Sequence, residues 1–170
     1  MFAMSQASSL FTRLEYRLAE QLFRARWLPR SPRTQRLTMR LFQRCADAGH
    51  TSALAVYGNV LFQRAISPQD KARGASYVLK AAHSGDAYAQ YQAARIYEHG
   101  CAQYPRREDH AVTWFARSGE AGYAQAALRL AQAYRWGELG LPVDAQRADY
   151  WQRLADHAGA FAEPQQLVHH

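Results

Sequence analysis

The stretch GEAGYAQAALRLAQAYRWG, residues 119–137, is rich in alanine, ends in glycine and repeats an earlier part of the chain. The earlier part is AAHSGDAYAQYQAARIYEHG, residues 81–100. At a spacing of 37 residues the two match at Ala89 and Ala126, Ala94 and Ala131, Tyr97 and Tyr134, and Gly100 and Gly137. The same spacing relates Ala111 and Trp114 to Ala148 and Trp151. A period in this range is typical of a solenoid of stacked helix pairs.

Four other glycines keep this period and predict where the chain turns. Gly49, Gly85, Gly122 and Gly159 follow one another at spacings of 36, 37 and 37 residues. Between them, apolar residues recur three and four positions apart, which places them on one face of a helix. The pattern predicts helices at residues 8–28, 33–48, 51–64, 69–83, 87–99, 108–120, 124–136 and 144–157. Because no alternating strand pattern competes, we predict an all-α chain.

Residues 85–159 resemble the Sel-one-like repeat (SLR) family, a branch of the tetratricopeptide-like α-solenoids. The string GELGLPVDAQRADYW, residues 137–151, matches the family pattern of glycine, loop aspartate, alanine and tryptophan. Residues 49–85 match in part, because Arg64 stands where later repeats have glycine. The resemblance implies a right-handed α/α solenoid (superhelix) of about four helix-turn-helix pairs.

The repeats predict a single solenoid domain at residues 1–159 and a C-terminal tail at residues 160–170. Within the domain we expect a basic N-terminal helix pair or cap at 1–49, and repeats at 50–85, 86–122 and 123–159. The first helix carries an apolar stripe formed by Leu10, Leu14, Leu18, Leu22 and Ala25. We expect this helix to cover the exposed face of the next pair, as terminal solenoid helices do. A helix that lies on a membrane or on a partner is the alternative.

The positive charge of the chain is concentrated near its N-terminus. Residues 1–49 contain nine arginines and three acidic residues, a net charge of +6 out of the total of +7. Four of these arginines follow one another at helical spacing and form a basic ridge: Arg33, Arg36, Arg40 and Arg44. The pattern places them opposite an apolar face formed by Leu37, Leu41, Cys45 and Ala48.

Three interpretations of the basic ridge remain open. It is a solvated outer face, a docking surface for an acidic protein, or a contact for nucleic acid or an acidic membrane surface. Arginine pairs bidentately with carboxylates and is common at interface hot spots. These properties favour an acidic protein as the partner over nucleic acid or an acidic membrane surface. No helix-turn-helix or RNA-recognition signature supports nucleic acid binding.

The resemblance also implies a groove, because in tetratricopeptide-like solenoids the first helix of each pair lines the concave face that carries the ligand. The equivalent positions here are Asn59, Gln63, Gln92, Arg95, His99, Arg129, Gln132 and Trp136. Arginine and glutamine can bond a peptide backbone, and Trp136 would supply an apolar anchor. The alternatives are ordinary surface for the whole set and, for Trp136, packing in the loop between helices.

The sequence carries no motif of an enzyme. It lacks a phosphate-binding glycine loop, a paired-histidine zinc helix and a Gly-x-Ser-x-Gly elbow. His99, Cys101, Asp109 and His110 lie near one loop, but their spacing matches no standard metal site. We therefore predict no enzymatic activity, no metal and no cofactor. Cys45 takes a position held by alanine in later repeats, which predicts a buried thiol.

We predict a non-catalytic adaptor or scaffold that binds another protein or peptide. The groove, the basic ridge or both would make the contact, and the ridge favours an acidic partner. The alternative is an anion-binding module that contacts nucleic acid or an acidic membrane surface through the Arg13–Arg44 region. A second copy of the chain, paired end to end, would extend the groove. Two unpaired cysteines and a poor secretory signal, interrupted by Glu15 and Arg17, favour the cytoplasm.

Overall fold

The predicted helices are present in the described part of the chain, and most begin and end within one residue of the predicted positions. Both ends of the first predicted helix, 8–28, lie outside the described residues. The computed structural model describes residues 12–21, which are helical and form α1, and residues 32–162. The other helices are α2 (Pro32–Asp47), α3 (Thr51–Arg64), α4 (Pro68–His83), α5 (Ala87–His99), α6 (Glu108–Glu120), α7 (Ala124–Trp136) and α8 (Ala145–Ala162). Residues 12–21 and 32–162 contain no strand. The all-α prediction is confirmed.

The chain divides into two compact units, Met1–Ala81 and Ala82–His170. In the first unit, α1 packs through the face that carries Tyr16 and Ala19. Ala19 is fully buried, and the Tyr16 ring lies 4.3 Å from that of His50 and 5.9 Å from that of Phe42, between centroids. The predicted division into one cap and three repeats within a single domain stays a prediction.

The predicted apolar stripe of the first helix is not the face that packs. Leu14 and Leu18 are 62% and 51% exposed, because α1 turns its other side, with Thr12 and Ala19, toward the core. The Thr12 carbonyl accepts a hydrogen bond from the Cys45 thiol at 3.7 Å. Leu10, Leu22 and Ala25 of the stripe lie outside the described residues.

Two glycines let α3 and α4 cross at close range. A Cβ atom on Gly74 would lie 2.8 Å from the carbonyl oxygen of Gly58, and one on Gly58 would lie 2.8 Å from the Cβ of Tyr77. Real Cβ atoms do not approach that closely, so only glycine fits at the crossing. The 37-residue pattern did not identify this pair, because later repeats have no equivalent glycines.

In the second unit each helix packs on the next one along the chain, from α5 to α8. The core consists of small alanines and large aromatic rings at matching repeat positions: Ala89 and Ala126, Ala94 and Ala131, Ala111 and Ala148, and Trp114 and Trp151 are all buried. Alanines allow the helix axes to approach, and the indole rings fill the remaining space. A buried hydroxyl, that of Ser118, donates a 2.6 Å hydrogen bond to the Ala87 carbonyl.

The turn glycines behave as predicted except for the last one. Gly49, Gly85 and Gly122 have φ of +83°, +92° and +91°, which side chains with a Cβ rarely adopt. Gly159 lies inside α8, which continues to Ala162, so the predicted turn at Gly159 is wrong. Ala160 follows Gly159, and alanine has the highest helix propensity. The local sequence therefore allows the helix to continue through Gly159. The predicted tail therefore begins as helix, and residues 163–170 lie outside the described part.

Candidate functional site

The predicted groove residues of the second unit lie on two neighbouring helices, α5 and α7. The link between the helices is Arg129 of α7, whose Nε donates to Glu98 Oε1 of α5 at 2.9 Å. The same guanidinium donates from Nη1 to Glu138 Oε2 at 2.5 Å. We call the surface formed by Gln92, Arg95, His99, Arg129, Gln132 and Trp136 the α5–α7 face.

Glu98 organises one end of the α5–α7 face. Its side chain is only 13% exposed, and Oε1 lies 2.7 Å from Arg129 Nη2. Its second oxygen, Oε2, is buried and has no hydrogen-bond partner among the described residues. Arg95 Nε and His99 Nδ1 lie 3.5 Å and 3.8 Å from that oxygen. The predicted site residues Arg95, His99 and Arg129 thus surround one carboxylate, that of Glu98, which was not among the predicted site residues.

One side of α7 presents an exposed row that combines apolar and polar side chains. Leu128, Gln132 and Trp136 follow one another four residues apart, which aligns them along one face of the helix. Trp136 is 71% exposed and Leu128 is 38% exposed. Trp136 does not pack into the loop between helices, which was the alternative interpretation of this residue.

A cluster of tyrosines packs at the other end of α5 and α7. The rings of Tyr88 and Tyr91 lie 5.9 Å and 5.0 Å from that of Tyr123 between centroids. Burial, with smaller contributions from the two neighbouring tyrosines, raises the pKa of Tyr123 to about 12. The phenol is therefore neutral at physiological pH, and the cluster acts as packing beside the half-buried Gln92.

The remaining groove residues, Asn59 and Gln63, belong to the first unit. They lie one turn apart on α3, where Asn59 is half-buried and Gln63 is exposed. The structure therefore brings Arg95, His99 and Arg129 together around Glu98, and Gln92, Gln132 and Trp136 lie on the same two helices. Asn59 and Gln63 of α3 belong to the other unit.

All four arginines of the basic ridge, Arg33, Arg36, Arg40 and Arg44, are exposed on α2. Arg44 Nη2 lies 3.1 Å from Glu15 Oε1 of α1, which offsets part of the charge. The predicted apolar face opposite the ridge is correct at Cys45, which is fully buried. It is wrong at Leu37, which is 53% exposed. Leu37 is four residues after Arg33 and three before Arg40, so it lies on the same face of the helix as the ridge.

The loop between α5 and α6 does not assemble a metal site. Among residues 12–21 and 32–162, no group of three His, Cys, Asp or Glu side chains is placed to hold a metal ion. Asp109 is instead held by Arg107 through hydrogen bonds of 3.1 Å and 2.9 Å. These bonds to the Arg107 guanidinium lower the pKa of Asp109 to about 2. His110 lies beside the same pair, 3.2 Å from Arg107 Nη2.

Two further features bear on the predicted environment of the chain. Cys45 is buried, as predicted, and burial raises the pKa of its thiol, so it is a poor nucleophile. Of the helices in the described ranges, none is both long and apolar enough to cross a membrane.

Comparisons with known proteins identify the fold. No family model matches the chain, and no curated protein matches it, but solved structures do. A Sel1 repeat protein from Oxalobacter formigenes aligns with a TM-score of 0.72 and 23% identity, over 86% of this chain and 58% of its own. A protective antigen of uropathogenic Escherichia coli with an SLR fold gives a TM-score of 0.74 and 20% identity, over 95% and 36%.

This chain spans less than two thirds of the length of either structure. At these identities the likeness establishes the arrangement of the helices. The chain therefore has the Sel1-like repeat fold, an all-α solenoid.

Proposed function

We propose that the chain is a non-catalytic interaction scaffold that binds a protein or peptide through the α5–α7 face. The observation that carries this proposal is the exposed row of Leu128, Gln132 and Trp136. Trp136 is 71% exposed, so most of its indole surface is accessible to a partner. Tryptophan and arginine are the residue types most enriched at the hot spots of protein interfaces.

The neighbouring side chains suit a peptide ligand. Arg95 and His99 are exposed on α5, carry hydrogen-bond donors, and share the Glu98 carboxylate with Arg129 of α7. The network around Glu98 fixes Arg129, so this guanidinium positions the face and is less available to a partner. A peptide would therefore gain an apolar anchor at Trp136 and polar contacts along α5. The proposal includes a cytoplasmic location, where Cys45 and Cys101 stay reduced.

The second candidate function is an anion-binding module built on the basic ridge. The observation in its favour is the exposure of all four arginines on one side of α2. The Glu15 carboxylate beside Arg44 weakens it, because the ridge then carries less net charge. Phosphate contacts would make binding fall steeply as the salt concentration rises.

A peptide-selection experiment tests the proposed function. Random peptides displayed on phage are selected on the intact chain, and the enriched peptides are measured by fluorescence anisotropy. We expect Trp136→Ala to weaken their binding by about tenfold or more, as at other aromatic hot spots. The matched control is Tyr150→Ala, which removes another exposed aromatic ring, 51% accessible, from α8. The control should bind as the parent chain does.

Salt separates the two candidate functions. Binding that depends on Trp136 should change little between low and high salt, since apolar burial dominates it. Equal binding by Trp136→Ala and the parent chain would overturn the α5–α7 proposal. Recovery of oligonucleotide binding that fails at high salt, and in the variant with Arg33, Arg36, Arg40 and Arg44 changed to glutamate, would favour the anion-binding module instead.

A further inference from the structure

A surface depression lies in the first unit, at the end of α3. It has a volume of about 700 Å³ and lies between α2, the end of α3 and the start of α4. The half-buried side chains of Met39, Val60 and Leu61 give it an apolar lining, and Ile66 stands at its edge. Ile66 is 101% exposed, so its whole side chain is accessible to a ligand. We call this depression the Ile66 groove.

Three guanidinium groups line the Ile66 groove. Arg36 and Arg40 stand one turn apart on α2, and Arg64 stands in the last turn of α3. Within residues 12–21 and 32–162, neither Arg40 nor Arg64 has a carboxylate within ion-pair distance. Arg64 was not part of the predicted ridge, because in sequence it replaces the glycine of later repeats.

The only carboxylate that lines the groove within the described residues, that of Asp70, is already engaged. It accepts a hydrogen bond from the Ser67 hydroxyl at 2.9 Å, while the Ser67 oxygen accepts from the Asp70 backbone at 3.1 Å. This reciprocal pair caps the start of α4. The groove therefore has an excess of positive charge that its own acidic group does not offset.

We propose that the Ile66 groove binds an acidic peptide segment that carries a branched aliphatic side chain between carboxylates. The aliphatic side chain packs on Ile66, Val60 and Leu61, and the carboxylates pair with Arg40 and Arg64. Arginine forms bidentate bonds with carboxylates, which adds direction to the charge attraction. This inference rests on the proposed function, because it names the chemistry of a partner and gives it a second place to dock.

The test uses random hexapeptides displayed on phage and the intact chain. We expect a class of enriched peptides in which at least two Asp or Glu residues flank Leu, Ile or Val. A fluorescein-labelled synthetic copy of one such peptide is then titrated with the variants. Arg64→Ala and Ile66→Ser should each weaken its binding by about tenfold, as truncations at the centre of an interface do.

Each variant has a matched control in the other unit. Arg135 is the basic residue in the last turn of α7, as Arg64 is in α3, so Arg135→Ala controls for the loss of one helix-terminal charge. Val143 is a loop residue that is 71% exposed, so Val143→Ser controls for the loss of one exposed aliphatic side chain. Both controls should leave the affinity of the acidic peptide within about twofold of the parent value.

The outcomes separate this inference from the proposed function. Peptides that need Trp136 but not Arg64 or Ile66 would leave the α5–α7 proposal standing and overturn the inference. Absence of any enriched peptide would overturn both. A third outcome is that a twelve-nucleotide oligothymidine displaces the acidic peptide and that its affinity is unchanged in Ile66→Ser. This result would show an anion site without an aliphatic pocket and would also overturn the inference.

Discussion

Single glycines in this chain have opposite effects on stability, according to their backbone conformation. Gly122 has φ of +91° with open space around it, so Gly122→Ala should destabilise the chain by about 1–2 kcal/mol through backbone strain alone. Gly159 lies inside α8, where an added Cβ meets nothing. Gly159→Ala should therefore stabilise the chain by about 0.5–1 kcal/mol. Urea unfolding of the two variants measures both changes, and equal signs would contradict the assignment of Gly159 to helix.

His50 couples the stability of α3 to pH. Its Nδ1 accepts a hydrogen bond from the backbone of Ala53 at 3.4 Å and so caps the helix. Burial, and secondly the charge of Arg13, lower the pKa of His50 below its usual value. Because the folded pKa is the lower one, the contribution of neutral His50 is complete above the unfolded pKa of about 6.5 and is lost as the pH falls through the folded pKa.

The test is His50→Asn, which retains an N-cap side chain but does not titrate. The free energy of unfolding of the parent chain should fall relative to the variant between pH 8 and pH 5, by about 0.5–2 kcal/mol, the usual contribution of an N-cap. The other histidines are common to both proteins, so their contributions cancel in the difference. A difference that stays constant with pH would show that His50 does not titrate with folding.

At the scale of the helices, Arg129 holds α5 and α7 in register through Glu98. Arg129→Met keeps the aliphatic stem but leaves a largely buried carboxylate without its main partner, so we expect a loss of about 2–3 kcal/mol. Adding Glu98→Gln should recover much of that loss, since the uncompensated charge is gone. Urea denaturation of both single variants and the double variant gives the coupling energy. Arg153→Met, which removes an exposed arginine of α8, is the control and should change stability by less than about 0.5 kcal/mol.

The bounds of the helices could be predicted from the sequence, whereas their packing faces could be predicted only in part. Pro68 begins α4, and Gly85 follows its end. Proline and glycine act on helix ends through their own backbone preferences, so these bounds can be read from the local sequence. Which face of α1 packs depends on the side chains that α2 presents to it. Leu14 and Leu18 are apolar, but no described residue covers their side of the helix. Glu98 was missed for a similar reason, because its partner Arg129 lies 31 residues away. This separation differs from the repeat spacing of 37 residues, so the repeat pattern did not indicate the pair.

At the scale of the whole molecule, the repeat spacing predicted the fold class but not which residues share a surface. The net charge of +7 belongs mostly to residues 1–49, yet the groove with excess positive charge also needs Arg64 and the exposed Ile66, which come from another helix and its following loop. Only folding brings these residues to one surface. The exposure of Trp136 likewise depends on tertiary packing, since the sequence was compatible with a buried ring.

The two units should respond separately to a local perturbation, because repeats in a solenoid contact only their neighbours. Gly74→Ala places a Cβ 2.8 Å from the Gly58 carbonyl oxygen, so α3 and α4 must move apart at a cost of about 1–3 kcal/mol. In native-state hydrogen exchange we expect faster exchange at amides of α2 and α3, with little change in α6 to α8. Gly159→Ala is the reciprocal control, since it acts in the second unit and should not accelerate exchange in α3. Uniform acceleration along the whole chain in Gly74→Ala would instead show that both units open in one cooperative step, in which case the stability effects argued for His50 and Arg129 would be felt at every helix.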